Sequence, residues 1–93
     1  MSERERRNGT KNRFEYEEQD ETAYLESEVD SDGWITLWHT EVPASLRGRG
    51  IAVLLARTAL EYARDNKLKV DVICPIVADF IHKNPEFESL VGK

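Results

Sequence analysis

Residues 42–52 read VPASLRGRGIA and join an apolar, strand-like segment to a strongly periodic one. Gly48 and Gly50 let the backbone turn and bring its N–H groups close to an anion without a Cβ in the way. The first N–H groups of a helix that starts here have no partner inside the helix. Arg47 and Arg49 add two positive charges at the same point, although the chain has a formal net charge of −5. The stretch therefore predicts a binding site for an anionic group such as a phosphate.

The segments before this turn are typical of three strands. Residues 13–17 and 23–29 alternate apolar and polar side chains with the period of a half-buried strand. Residues 18–21 and 30–33 are polar and predict the turns between the strands. Residues 34–40 are apolar on both faces, so we expect this strand in the middle of the sheet, with its two tryptophans as core or sheet-face residues.

The segment after Gly50 has the 3.6-residue period of a helix. Its apolar stripe is predicted to comprise Ile51, Leu54, Leu55, Ala59 and Tyr62. An overlapping stripe of small residues comprises Ala52, Ala56, Ala59 and Ala63. Small side chains would let the helix lie close to the sheet, and Asn66 is predicted to end it in a left-handed conformation.

A short strand and a second helix follow. Residues 70–74 are predicted to form the strand, and Pro75 occupies the position of a first helical residue. The buried face of this helix is predicted to comprise Ile76, Val77, Phe80 and Ile81. The helix should end before Asn84-Pro85, with His82 as a C-terminal cap. The predicted order is β-β-β-α-β-α, an α+β fold in which the strands on either side of the crossover helix are parallel.

Length and composition narrow the class of protein. A chain of 93 residues predicts one domain, residues 13–93, preceded by a flexible polar tail, residues 1–12. The negative net charge argues against nucleic acid as the main partner. The sequence shows neither a signal peptide nor an apolar run that could span a membrane, and a single cysteine favours a cytoplasmic protein. One cysteine and two distant histidines predict no zinc or other metal site.

The ordered motifs from residue 14 onward resemble those of the small members of the Gcn5-related N-acetyltransferase superfamily. The resemblance is carried by His39-Thr40-Glu41-Val42-Pro43, Arg47-Gly48-Arg49-Gly50-Ile51-Ala52, Leu60-Glu61-Tyr62-Ala63-Arg64, Cys74-Pro75, and Asn84-Pro85-Glu86-Phe87 with Leu90. It implies that acetyl-CoA lies between strands that splay apart on either side of the crossover helix. The turn would bind the pyrophosphate through backbone N–H groups. The cofactor-binding residues implied in this way are Val42, Arg47, Gly48, Arg49, Gly50, Ile51 and Ala52.

Three residues are candidates for catalysis. Cys74 ends a predicted strand just before Pro75, so its sulfur would face a helix N-terminus, which stabilises a thiolate. It could be a nucleophile, an acetyl acceptor or the acid that protonates the leaving CoA thiolate, or else a buried core cysteine. His39 and Glu41 share one face of a strand, where a carboxylate beside an imidazole could form the base that deprotonates an amine. A sheet histidine and a solvated glutamate are the alternative.

The sequence is compatible with more than one function. The first hypothesis is an acetyl-CoA-dependent N-acetyltransferase whose acceptor is a small amine or the lysine or N-terminus of a protein. The second is a module that binds acyl-CoA without efficient transfer, because the last helix has Phe80 and lacks the tyrosine that larger members of the superfamily use as general acid. The third is a protein-interaction domain in which the glycine turn only caps a helix. We expect a monomer, because no apolar stripe beyond the core faces is evident.

Overall fold

The computed structural model of the chain describes residues 10–92. Its strands are β1 (Thr10–Glu18), β2 (Glu21–Val29), β3 (Trp34–Glu41) and β4 (Lys69–Val72), and its helices are α1 (Ile51–Asp65) and α2 (Pro75–Lys83). Short 3-10 helices cover Ala44–Leu46 and Pro85–Leu90. No helix within these described residues is long and apolar enough to cross a membrane.

The four strands form one sheet in the order β1-β2-β3-β4. The first three strands pair antiparallel, and β3 pairs parallel with β4 after the crossover through α1. This arrangement confirms the predicted α+β fold and its β-β-β-α-β-α order. The central position of β3 is also confirmed, because it has a neighbour on each side.

The two hairpin turns lie where the sequence predicts them. Gln19 and Asp20 have φ values of 52° and 66°, the left-handed pair that joins two strands through a two-residue turn. In the second turn Gly33 has a φ of 84°, and the Asp30 carboxylate accepts a hydrogen bond of 2.9 Å from the N–H of Asp32. Strand β1 begins at Thr10, three residues before the predicted start of the domain. The rest of the predicted tail, residues 1–9, lies outside the described residues.

Helix α1 packs against the sheet through its small side chains. Its buried residues are Ile51, Leu55, Ala56, Ala59, Leu60 and Ala63. The predicted small-residue stripe is therefore confirmed at three of its alanines, whereas the predicted apolar stripe is wrong at Leu54 and Tyr62, which are 46% and 43% exposed. The close contact of the alanines rotates the buried face away from Leu54. Tyr62 lies at its edge and packs against the Phe14 ring, with the ring centroids 5.6 Å apart.

The ends of both helices differ in detail from the predictions. Asn66 has a φ of −101°, so it is not the left-handed residue, and Lys67 takes that role with a φ of 57°. The Asn66 side chain instead donates a hydrogen bond of 2.8 Å to the carbonyl of Tyr62. At the end of α2, the Asn84 side chain caps the carbonyl of Phe80 at 2.9 Å, and His82 is an exposed residue of the last turn.

Helix α2 begins at Pro75 and ends before Asn84, as predicted. Val77, Phe80 and Ile81 are buried, but the prediction for Ile76 is wrong, because this residue is exposed. The exposed large apolar side chains are Val53, Leu54, Tyr62, Ile73 and Ile76. The two helices thus present more apolar surface than the sequence pattern indicates.

Candidate functional site

Strands β3 and β4 separate halfway along β3. Their parallel pairing runs from Trp34 with Lys69 to Leu37 with Val72. Directly after β4, the N–H groups of Ile73 and Cys74 both donate hydrogen bonds of 3.0 Å to the carbonyl of Leu37. The predicted strand 70–74 is therefore wrong at its end, because residue 75 is a proline without an N–H to continue the ladder. Strand β3 continues alone on this side and opens a cleft.

A β-bulge lies at the same level of β3. In the pairing with β2, His39 lies opposite Glu26, whereas Leu37 lies opposite Ser27, so that Trp38 is the additional residue. A bulge bends the strand and increases its twist. The bulge and the end of the β4 pairing together separate the last residues of β3 from α2.

The glycine turn forms the outer end of this cleft. Gly48 and Gly50 have φ values of 78° and 76°, and Gly50 is the N-cap of α1. A Cβ at either position would meet no atom within 4 Å, so the glycines are required by their backbone conformation and not by crowding within the chain. The first hydrogen bond within α1 joins the N–H of Leu54 to the carbonyl of Gly50. The N–H groups of residues 51–53 precede it and have no acceptor in the helix.

The cleft has a volume of about 330 Å³ and a mainly apolar wall. Its lining residues are Thr40, Glu41, Val42, Leu46, Arg47, Gly48, Gly50, Ile51, Ala52, Val53 and Ile76. All the predicted cofactor-binding residues except Arg49 thus lie around one cavity. The cleft thus has N–H groups without a helical acceptor at one end and an apolar wall. These features suit a ligand that has a phosphate group attached to an extended, less polar chain.

The two arginines of the turn have different surroundings. The Arg47 Nε donates a hydrogen bond of 3.0 Å to the carbonyl of Val42, which holds this side chain at the cleft. Arg49 instead lies 2.8 Å from the carboxylate of Glu18 at the tip of the β1–β2 hairpin. The Tyr16 hydroxyl donates to the other oxygen of that carboxylate, also at 2.8 Å. Arg49 thus connects the turn to the hairpin.

The ionisation of Glu18 reflects these contacts. The hydrogen bond from Arg49, followed by the one from Tyr16, lowers the pKa of the Glu18 carboxyl. The same carboxylate raises the pKa of Tyr16 through its hydrogen bond and its charge. Sequence reasoning missed Glu18, because 30 residues lie between it and Arg49 and no local pattern relates the two.

Cys74 lies at the inner end of the split between the strands. It is only 1% exposed and is the N-cap of α2, but its side chain makes no capping hydrogen bond. The sulfur instead lies 3.3 Å from the Thr40 hydroxyl, which is also buried. The sulfur therefore forms no hydrogen bond with the N–H groups of the helix, and its partner, Thr40, is a residue that sequence reasoning missed. If the side chains of β3 alternated strictly, Thr40 would lie on the face of the sheet opposite to Leu37. The additional residue at the bulge, Trp38, brings Thr40 to the same face as Leu37.

His39 and Glu41 are in contact, as their spacing predicts. The His39 Nε2 lies 3.1 Å from the Glu41 carboxylate, and both side chains are about half exposed. Thr40 lies between them in sequence and points to Cys74. The structure therefore separates the three catalytic candidates into an exposed pair and a buried thiol.

The comparisons with known proteins agree with this geometry. A family model described as GCN5-related N-acetyl-transferase matches residues 13–90. Protein NATD1 of Bos taurus is 43% identical over 51 residues, which cover 55% of this chain and 45% of that protein. Protein NATD1 of Homo sapiens is 41% identical over 51 residues, with the same two shares. The matched segment thus spans less than half the length of these relatives. With the family model covering most of its length, the chain belongs to the GCN5-related N-acetyltransferase family.

Proposed function

We propose that this protein is an N-acetyltransferase that transfers the acetyl group of acetyl-CoA to a primary amine. The observation that carries the proposal is the cleft between the end of β3 and α2, with the open N–H groups of residues 51–53 at its outer end. A pyrophosphate fits the turn because the helix dipole and Arg47 both favour negative charge there. The apolar wall formed by Val42, Val53 and Ile76 fits the less polar arm of the cofactor.

Acetyl-CoA supplies a thioester. In the reaction a bond forms between the amine nitrogen and the acetyl carbon, and the bond between that carbon and the CoA sulfur breaks. The substrate ammonium group loses two protons, of which one is taken up by the CoA sulfur and the other is released. The protein has to accept the first proton, because an alkylammonium ion has no lone pair for the attack. His39 and Glu41 are placed for this step, since their side chains share a hydrogen bond and reach solvent. Backbone N–H groups near Val42 would stabilise the developing oxyanion.

Thr40 and Cys74 are the candidates for the proton that the CoA sulfur takes up. Thr40 lines the cleft, and its hydroxyl connects the cleft to the buried Cys74 sulfur. Cys74 itself has almost no exposed surface, so it would act through Thr40 and not as a nucleophile. We place the reaction in the cytoplasm, where a single free thiol stays reduced.

A module that binds acyl-CoA without efficient transfer is the second candidate. One observation favours it: Phe80 in α2 is buried and apolar, and this helix carries no tyrosine among its described residues. This alternative keeps the cleft and the turn but predicts no release of free CoA in the presence of amines.

Titration calorimetry with acetyl-CoA tests the proposal first. We expect saturable binding that is weakened at least tenfold in Gly50→Ala, followed by amine-dependent release of CoA from the wild type. Binding without CoA release across a panel of amines would support the binding module. Absence of binding by the wild type would leave only the protein-interaction domain.

A further inference from the structure

Strand β1 lies at one edge of the sheet. It pairs with β2 along all its residues, Thr10–Glu18, and within the described part of the chain it has no neighbour on its other side. An unpaired row of backbone N–H and C=O groups is a template on which another strand can pair. The strand contains no proline, glycine or bulge, so its free edge is continuous.

The hairpin turn determines which backbone groups face this edge. Glu18 and Glu21 flank the two-residue turn, so they form a hydrogen-bonded pair, and bonded pairs then recur at every second residue of β1. The residues between them turn their N–H and C=O groups away from β2. One of these N–H groups, that of Arg13, donates a hydrogen bond of 2.9 Å to the side-chain oxygen of Asn12. The residues with outward backbone groups are Lys11, Arg13, Glu15 and Glu17.

These four residues carry a self-complementary pattern of charge. Their side chains are exposed and read plus, plus, minus, minus along the strand. In an antiparallel pair of two β1 strands centred on Phe14, Lys11 lies opposite Glu17 of the second copy, and Arg13 lies opposite its Glu15. A shift by two residues instead places Arg13 opposite Arg13 or Glu15 opposite Glu15, and like charges directly opposite each other destabilise a sheet. The charges therefore select one register, with a second copy of this chain as the partner.

Helix α1 leaves an apolar ridge beside the same edge. Tyr62, which contacts Phe14 in β1, follows Leu54 and Thr58 at intervals of four residues, so the three side chains lie along one side of the helix. All three are exposed, whereas Arg57, on the other side, lies over an aromatic ring of α2. A second copy paired through β1 would bring its own ridge next to this one and cover the apolar side chains.

We propose that two copies of this protein pair antiparallel through β1, with Phe14 at the two-fold axis, and form one continuous sheet. Arg13 and Glu15, which lie 3.5 Å apart within one chain, then share a network of alternating charge with the same residues of the second copy. Asn12 releases the N–H of Arg13, which donates instead to the carbonyl of Glu15 in the second copy. The sequence pattern favours a monomer because it assigns the apolar residues of the α1 ridge to the core. The dimer does not require acetyl-CoA, so it stands or falls independently of the proposed function.

Sedimentation equilibrium of the full chain over a range of concentrations measures the dimer directly. We expect the mass to rise from that of one chain to that of two as the concentration increases. Lys11→Glu and Glu17→Lys are the diagnostic variants, since each places like charges opposite each other twice in the dimer. Lys69→Glu is the matched control, because it makes the same change at an exposed position of β4, at the other edge of the sheet.

Each diagnostic variant alone should raise the dissociation constant of the dimer at least about tenfold, whereas Lys69→Glu should change it by less than about twofold. The two diagnostic variants change the net charge in opposite directions, so a general charge effect would not weaken both. An equimolar mixture of Lys11→Glu and Glu17→Lys should associate again, because unlike charges then lie opposite each other at both pairs of positions. The double variant with both changes should likewise regain the affinity of the wild type, which shows that the single variants fold.

Hydrogen exchange followed by NMR tests the same edge without a substitution. The outward amides of β1 gain carbonyl partners in the dimer, so they should exchange more slowly at high protein concentration than at low concentration. These are the amides of Lys11, Arg13, Glu15 and Glu17. Exchange rates that do not change with concentration, in a protein with the mass of two chains, would place the contact elsewhere and overturn the inference.

Three results of the sedimentation experiment would also overturn it. The first is the mass of one chain at every concentration up to about 1 mM, which would leave the β1 edge free for a strand of another protein. The second is an equal effect of Lys11→Glu and Lys69→Glu. The third is a wild type that dimerises while the mixture of the two diagnostic variants does not, because this would exclude the register centred on Phe14.

Discussion

The N-termini of α1 and α2 both lie beside the cleft, but their caps differ. Gly50 caps α1 without a side chain, is exposed, and has a left-handed backbone. Cys74 caps α2 in an extended conformation, is almost completely buried, and directs its sulfur to Thr40. Both ends carry the partial positive charge of a helix dipole, yet only the first is open to a ligand from solvent. The N-terminus of α1 is therefore the better anion site because solvent reaches it, and not because its helix dipole differs from that of α2.

Gly50→Ala is expected to have the largest effect. A non-glycine residue at a φ of 76° carries a strain of about 1–2 kcal/mol. Relief of this strain would turn the N–H groups of the first helical turn away from the cleft. We therefore expect the free energy of unfolding to fall by about 1 kcal/mol and acetyl-CoA affinity to fall at least tenfold. Chemical denaturation and calorimetry measure the two effects.

Gly33→Ala is the matched control, because its φ of 84° brings similar strain at a hairpin away from the cleft. It should lower the free energy of unfolding by a similar amount and leave acetyl-CoA affinity unchanged. A loss of affinity in both variants would show that general destabilisation, and not the open α1 terminus, is responsible.

Substitutions of Cys74 at the α2 terminus, or of its partner Thr40, should lower the rate of acetyl transfer without lowering acetyl-CoA affinity. Thr40→Val removes the hydroxyl that contacts the Cys74 sulfur, at a cost of about 1 kcal/mol in the free energy of unfolding. The rate of CoA release should fall, while acetyl-CoA affinity stays within about twofold, because the turn is intact. Cys74→Ser should retain more of the rate than Cys74→Ala. A loss of affinity in Cys74→Ala as large as that in Gly50→Ala would contradict the difference between the two termini.

Arg47→Ala should weaken acetyl-CoA binding by a few-fold and reduce its dependence on salt, because an exposed cation near a phosphate is screened by ions. Arg64→Ala is the control, since Arg64 is an exposed arginine at the far end of α1. Calorimetry at low and high salt distinguishes the two variants. Equal effects would mean that Arg47 contributes only to the net charge.

The smallest effect concerns the Glu18 carboxylate, which holds Arg49 away from the cleft lining. Its pKa is lower in the folded protein than in the unfolded chain, so the contact stabilises the fold above the unfolded pKa. This contribution is lost as the pH falls through the folded pKa. Glu18→Gln should therefore flatten the acid side of the curve of unfolding free energy against pH, whereas Glu17→Gln, on the neighbouring exposed residue, should not.

Much of the fold follows from local patterns in the chain. Period-two alternation identifies β1 and β2, a glycine and aspartates identify the turn at residues 30–33, and the glycine turn identifies the start of α1. These features depend on a few adjacent residues, such as Gly50, whose positive φ is required whatever surrounds it. The boundaries of β1 and β4 were less accurate, because pairing partners decide where a strand starts and ends.

The site was only partly predictable for the same reason. The residues of the turn and the His39–Glu41 pair lie close together in sequence, so their spacing already indicates their contact. The partners Thr40 with Cys74 and Glu18 with Arg49 come from different elements, and their contacts depend on the bulge at Trp38 and on the packing of the hairpin beside the turn.

Local sequence thus accounts for the order of the elements, the left-handed glycines and the open N–H groups of α1, because short-range backbone sterics and hydrogen bonding specify them. The assembled fold accounts for the cleft and for the partner of the buried thiol. These arise where β3 leaves β4 and bulges against β2, and such long-range pairings exist only once the whole sheet has formed.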